Sequence, residues 1–255
     1  MIIRPGHIPG YPAGGQLGRV SRRPVYPTTA TEFAAYTGLT PTSLYLFNEA
    51  SGNLLDKSSS NDLTVNGTPT FSFSRSNQRG IHYDTETDHH SADVLAVGST
   101  SFLAWGVFGV ETGAVDFAGL MGRTNATGAE EWIVYHRTSG VVTARIRDAA
   151  AGEVSVSTAA ASLDTALHLV QLQVDRSAAT VRLRVSRPGT AALTASGSIA
   201  GFGSLDGASQ KHGYCPLIGS VPFKGGSCYG AGTRINADTE GASVTADLSK
   251  ALGWE

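Results

Sequence analysis

The sequence predicts an all-β fold, an antiparallel β-sandwich that carries an extended N-terminal arm. Three observations predict it. From about residue 43 to the C-terminus, apolar residues recur with a period of two, the spacing at which strand side chains return to one face. Glycine is abundant at 31 residues while charged residues make up only 16% of the chain, a balance that suits turn-rich sheets better than helical bundles. Strand-like and helix-like segments do not alternate, which excludes a parallel α/β sheet. About a dozen short strands at regular spacing, without an internal repeat, make one sandwich. A chain of 255 residues is long enough to give that sandwich a full core.

The first element is the arm, residues 1–30. It holds five of the ten prolines, four arginines and no acidic residue before Glu32. Proline fixes φ and removes a backbone donor, and the interspersed glycines are costly to order, so the arm is neither helix nor central strand. Such a segment becomes ordered by lying on something else. Arg4, Arg19, Arg22 and Arg23 are expected to pair with acidic groups of a partner, and Ile2, Ile3, Tyr11, Val25 and Tyr26 to fill its apolar pockets. The whole chain has 19 basic and 21 acidic residues, so the body behind the basic arm is mildly acidic. That excludes the basic footprint of a nucleic-acid binder. No apolar run is long enough to span a membrane, and Arg4-Pro5-Gly6 interrupts the apolar start where a secretory signal would need its h-region.

Residues 31–41 read as a short helix and linker. Thr29 and Glu32 have capping-box spacing, Phe33 and Tyr36 are placed on one face, and Gly38 ends the helix before Pro41. The helix is expected to cover an edge or end of the sandwich. Residues 42–255 form the sandwich itself. Ser43–Phe47 is an apolar strand and Leu63–Val65 a short one. Ile81–Tyr83 and Val94–Val97 flank a polar turn, and Phe102–Val110 is too continuously apolar for a surface strand, hence central and covered on both faces. Along Val141–Arg147, Val142, Ala144 and Ile146 face inward. Leu167–Val174 and Thr180–Ser186 make a hairpin through residues 175–179, with Val181, Leu183 and Val185 buried. Pro216–Phe223 and Ser227–Ile235 are further strands, and residues 239–254 close the chain with a short helix.

The stretch Ser43-Leu44-Tyr45-Leu46-Phe47-Asn48-Glu49-Ala50-Ser51-Gly52, followed by Asp56-Lys57-Ser58-Ser59, resembles the opening strand and turn of laminin-G-like, concanavalin-A-like jelly rolls. Ile81-His82-Tyr83-Asp84 is similar to the aromatic-Asp strand of that family, Ser101–Val107 to its Trp strand, and Leu217-Ile218-Gly219 to its late Ile-Gly strand. The resemblance covers residues 42 to 255 and implies a jelly-roll sandwich. Lectins, glycan hydrolases, adhesion modules and virion proteins all use that fold, so it implies no single function.

The residues offer three kinds of chemistry. In Asp84-Thr85-Glu86-Thr87-Asp88, an extended backbone would place three carboxylates on one face about 7 Å apart, near the spacing of glycoside hydrolysis. Nothing around this run supplies the burial that raises one carboxyl's pKa, so a solvated acidic turn is the expectation and no catalytic residue is assigned. The same run with His89, His90 and Asp93 has ligand types for Ca²⁺ or Zn²⁺, but adjacent histidines on a strand point to opposite faces, and no metal or cofactor is expected. Trp132, Tyr135, Tyr214 and Tyr229 are candidates for stacking a sugar, with a core role at least as good for Trp132. His168, between two leucines, reads as a core or edge histidine. Cys215 and Cys228 are near enough in sequence to close a short loop and are expected to be reduced; the Asn66 and Asn125 sequons are expected to be idle.

A sandwich without an enzyme signature, joined to a basic arm made to dock, leads to one expected function. The chain reads as a non-enzymatic virion structural protein of a tailed bacteriophage, a capsid decoration or a tail or fibre component. Its partners are other virion proteins and its own copies, and its place is the virion after folding in the host cytoplasm. The alternative is a glycan-binding adhesion module whose partner is a cell-surface glycan; a glycoside hydrolase comes third.

Overall fold

The computed structural model describes residues 26–75, 78–85, 87–110, 117–124, 130–150, 152–159, 164, 166–205, 211–214, 226–235, 248 and 254. The arm residues Ile2, Ile3, Arg4, Tyr11, Arg19, Arg22, Arg23 and Val25 therefore lie outside them, as do Cys215, Asn125, Glu86 and the expected strand Pro216–Phe223.

One helix, α1 (Ala30–Thr37), precedes the strands. Its ends are made locally. Thr29 is extended, and its hydroxyl accepts from the Glu32 N–H at 3.1 Å. The Glu32 carboxylate reaches back past the cap to Thr28, accepting from both its N–H and its hydroxyl at 2.9 Å. Gly38, at φ 66°, donates to the Ala34 carbonyl and stops the helix. Phe33 is fully buried while Tyr36 is 53% exposed, so the two do not share a buried face.

The strands are β1 (Ser43–Tyr45), β2 (Thr64–Asn66), β3 (Thr70–Arg75), β4 (Gln78–Tyr83), β5 (His89–Ala92), β6 (Phe102–Val110), β7 (Ala118–Thr124) and β8 (Glu130–His136). They continue as β9 (Val142–Arg147), β10 (Glu153–Ser157), β11 (Leu167–Asp175), β12 (Thr180–Ser186), β13 (Leu193–Ser198), β14 (Lys211–Tyr214) and β15 (Gly226–Ile235). All pairings are antiparallel. The larger sheet runs β13-β12-β11-β6-β15-β4-β3, and β1 also pairs with β15; the smaller runs β10-β9-β8-β7-β14-β5-β2. Two antiparallel sheets stacked in this way form the jelly-roll sandwich. The expected hairpin is present, with Leu172 opposite Leu183 and Asp175 opposite Thr180.

The larger sheet is covered on both faces. Toward the smaller sheet, Phe102, Ala104 and Phe108 of β6 join Trp132, Val134, Leu172 and Leu183 in the inner core. On the opposite face Leu103, Trp105 and Val107 of the same strand pack with Leu167, Leu169, Phe33, Leu39, Leu46, Leu248 and Trp254. Every residue of β6 is buried, which explains its unbroken apolar run. Helix α1 thus covers a sheet face rather than an edge. Phe33 lies stacked on Trp105, ring centroids 5.3 Å apart.

The expected strand Val94–Val97 is irregular, with Leu95 at φ 57°; the strand is instead the polar His89–Ala92. Backbone pairing to β2 and β14 holds it, and its one inward imidazole, His90, is bonded on both nitrogens, to the Tyr83 hydroxyl at 3.0 Å and the Gly52 carbonyl at 3.1 Å.

Candidate functional site

The acidic run does not extend. Asp88 is fully buried, and its carboxylate accepts from the N–H groups of Thr68 at 2.7 Å, Asp84 at 3.1 Å and Thr85 at 2.8 Å. These bonds curl the chain into a turn. Asp84 stays exposed and is held by the Thr70 hydroxyl at 2.6 Å and His82 Nε2 at 2.9 Å. The solvated turn of the sequence reading is therefore corrected in one respect: its last carboxylate is an interior brace. Asp88→Ala removes the buried acceptor shared by three backbone N–H groups and is expected to cost about 2–3 kcal/mol in urea unfolding, with Asp88→Asn costing less. Among the described residues no group of His, Cys, Asp and Glu is arranged to hold a metal ion.

The aromatic candidates are also interior. Trp132 and Tyr214 are fully buried, Tyr229 is 2% and Tyr135 9% exposed. Trp132, Tyr135 and Tyr214 offer no sugar-stacking face. His168 is 1% exposed and faces the Ala166 carbonyl through Nδ1 at 2.9 Å, as a core histidine should. Cys228 is a buried free thiol. Tyr26 requires the firmest correction. Its ring is 2% exposed in the protein's own outer core, and its hydroxyl accepts a 2.9 Å hydrogen bond from Trp105 Nε1. It packs in the protein's own core, with only its edge reaching the surface.

Where Tyr26 enters the body, four segments distant in sequence converge on a cleft of about 350 Å³. Tyr26, Pro27 and Thr28 form one side, Leu46 and Asn48 a second, and Gln78, Arg79 and Tyr229 the remainder. Three of them are positioned by a local feature of the backbone. The β15 ladder slips between Cys228 and Gly230. Cys228 and Ala231 both join the inner core, whereas Tyr229 turns to the outer face and Gly230 presents bare backbone to the Tyr26 ring. A second device is Phe47, at φ 53° without being glycine. Its ring is fully buried against Tyr214, centroids 5.8 Å apart, which holds a backbone state that costs about 1–2 kcal/mol. The reversal puts Leu46 on the outer face, Phe47 in the inner core and Asn48 at the cleft. The third is Gly80, where a side chain would meet the Cys228 carbonyl at 2.5 Å; its absence lets β4 lie close under Tyr229.

The polar groups of the cleft differ in how they are occupied. Thr28 is spent on Glu32. Gln78 is only 6% exposed, and neither its carboxamide oxygen nor its nitrogen has a hydrogen-bond partner. Arg79 is exposed, and its guanidinium has no carboxylate partner among the described residues. Of the sequence candidates, Tyr26 and Tyr229 line the cleft; Asn48, Gln78 and Arg79 belong to no motif that singles them out.

No protein-family model matches the chain, and no curated protein does. Solved structures do. The botulinum neurotoxin serotype D binding domain is similar with a TM-score of 0.57 at 10% identity over 84% of this chain and 53% of that one. The chain thus spans about half the length of the toxin domain it matches. The carbohydrate-binding module CBM40 of the Ruminococcus gnavus IT-sialidase, solved with alpha2,3 sialyllactose bound, gives a TM-score of 0.45 at 17% identity over 59% and 83% of the two chains. At these identities the likeness is one of fold.

Proposed function

We propose that the protein is a non-enzymatic carbohydrate-binding module that takes a short saccharide in the outer-face cleft. The observation that carries this reading is Gln78, a buried carboxamide in the cleft wall whose donors and acceptor nothing in the fold uses. An unpartnered buried amide costs about 1–3 kcal/mol, a cost relieved when a ligand supplies hydroxyls. Vicinal sugar hydroxyls match a carboxamide, which donates and accepts side by side; Asn48 offers a second. Leu46, Pro27 and the two tyrosines give the apolar wall a pyranose also needs.

The reading as a phage virion protein rested on the arm, most of which lies outside the described residues, and the similar structures supply no phage context. The glycan-binding alternative fits the cleft better. Shared fold with binding domains agrees with it but assigns no ligand.

A glycan array probed with the full chain tests the proposal, followed by calorimetry on the best ligand. Gln78→Leu is expected to weaken binding about five- to tenfold while leaving the unfolding midpoint unchanged or higher, because an unsatisfied amide has been removed. If no saccharide binds, or if Gln78→Leu binds as well as the parent, the proposal fails.

A further inference from the structure

The charge of the cleft says more about its ligand, and this inference rests on the carbohydrate-binding reading. We infer that the cleft selects a saccharide bearing an oxyanion, a carboxylate or a sulfate ester, which Arg79 clamps while Gln78 and Asn48 read the neighbouring hydroxyls.

Arg79 is the one ionisable group of either sign other than the tyrosines among the residues lining the cleft, and no carboxylate lines it. Three other arginines of the body are paired with carboxylates where they stand. Arg123 pairs with Glu131 at 2.9 Å, Arg147 with Glu153 at 2.7 Å, and Arg187 with Asp164 at 2.9 Å. Nearby acids are committed as well. Glu49, beside Asn48, pairs with Lys57 at 3.1 Å, and Glu32 is held by Thr28. The cleft is thus lined by an arginine without a carboxylate partner among the described residues and by a carboxamide without hydrogen bonds, exposed and buried neighbours in the alternation of β4. A guanidinium presents two parallel N–H donors, the geometry that an oxyanion accepts bidentately and a lone hydroxyl does not.

The arm is a poor occupant of the same cleft, since its four arginines bring positive charge to Arg79 and it has no acid before Glu32. A carboxylate and a sulfate ester present the same paired oxygens, so the test must separate them.

Three matched oligosaccharides serve as probes: a neutral one, the same sugar oxidised to a uronic acid, and the same sugar carrying one sulfate ester. Titration calorimetry with the full chain is expected to show one or both acidic members binding about tenfold tighter than the neutral one, with the preference shrinking as salt rises from about 0.05 to about 0.5 M. The larger preference identifies the oxyanion. Arg79→Gln is expected to erase the preference, bringing the acidic probes down to the affinity of the neutral one; Arg79→Lys keeps part of it. Gln78→Leu should weaken all three alike. Arg79 is exposed, so its substitution leaves the fold in place, which unfolding midpoints will verify. Equal binding of the three probes, or an acidic preference that survives Arg79→Gln, overturns the oxyanion inference while the carbohydrate-binding reading stands. Absence of binding by all three, together with a blank array, overturns both.

Discussion

Gly230→Ala is expected to lower stability by about 3 kcal/mol and to abolish ligand binding in the cleft, although a single methyl is added. The reason lies in how the N-terminal strap is seated. A Cβ on Gly230 would overlap the Cδ1 and Cε1 atoms of the Tyr26 ring. The ring has nowhere to retreat. Phe33 lies beside it at 6.0 Å between centroids, and its hydroxyl is tied to Trp105. Displacing the ring breaks that hydrogen bond, exposes Trp105 and removes one wall of the cleft. Tyr26→Ala is expected to cost about 3–5 kcal/mol, as for other buried aromatic truncations. The double variant decides the cause. With Ala at 26 the added methyl meets empty space, so the two losses should fall well short of additive. Urea unfolding followed by tryptophan emission measures all three. A loss under about 0.5 kcal/mol for Gly230→Ala would show that the ring does not depend on the bare backbone.

Acid is expected to destabilise the protein steeply, through two histidines that the fold holds neutral. Burial pushes His212 down to about 3, with the Arg123 charge adding to the effect and Asp56 opposing it. Burial pushes His90 down to about 4, against the favourable bond to the Gly52 carbonyl. Unfolded, each titrates near its ordinary value of about 6.5. Below that pH the unfolded chain takes up protons that the folded chain refuses, so stability falls as pH falls. It is level above about pH 7 and declines from about 6.5 toward about 4, by a few kcal/mol for each histidine. His212 makes the sharper experiment. It is fully buried, Trp132 and Tyr214 pack its ring, and neither nitrogen has a hydrogen-bond partner. His212→Phe keeps the shape and removes the unsatisfied atoms, so it is expected to raise stability at neutral pH and flatten much of the acid slope. Urea midpoints at about pH 7.5 and about pH 4.5 measure both effects. An unchanged slope would remove His212 as the source.

How much of this was legible beforehand depends on where each feature's stability comes from. The Thr29 and Gly38 ends of α1 are set by bonds that close within four residues, so they can be read from the residues themselves. The hairpin of β11 and β12 is legible because Val181, Leu183 and Val185 alternate with arginines, and the period of two carries the answer. Strands such as β7, Ala-Gly-Leu-Met-Gly-Arg-Thr, and β13, Leu-Thr-Ala-Ser-Gly-Ser, carry no such pattern. Their partners in the ladder hold them, and partners are a property of the fold. The polar β5 has the composition of a turn, and only its pairing to β2 and β14 makes it a strand.

The site shows the division most clearly. Period and composition, on their own, settled that the chain is a two-sheet antiparallel sandwich with β6 at its centre, because burial on a sheet leaves a periodic mark. They left open which polar residues matter, because Asn48, Gln78 and Arg79 resemble any other surface residues in a one-dimensional record. Convergence of the Tyr26 strap, the reversal at Phe47 and the bulge at Tyr229 was what joined them. The aromatics that looked fit to bind a sugar went to the core instead, and Tyr26, expected to dock on a partner, became the bolt that holds the strap. Exposure and hydrogen-bond occupancy arise between segments far apart in sequence, and so they came into view only once the chain had packed.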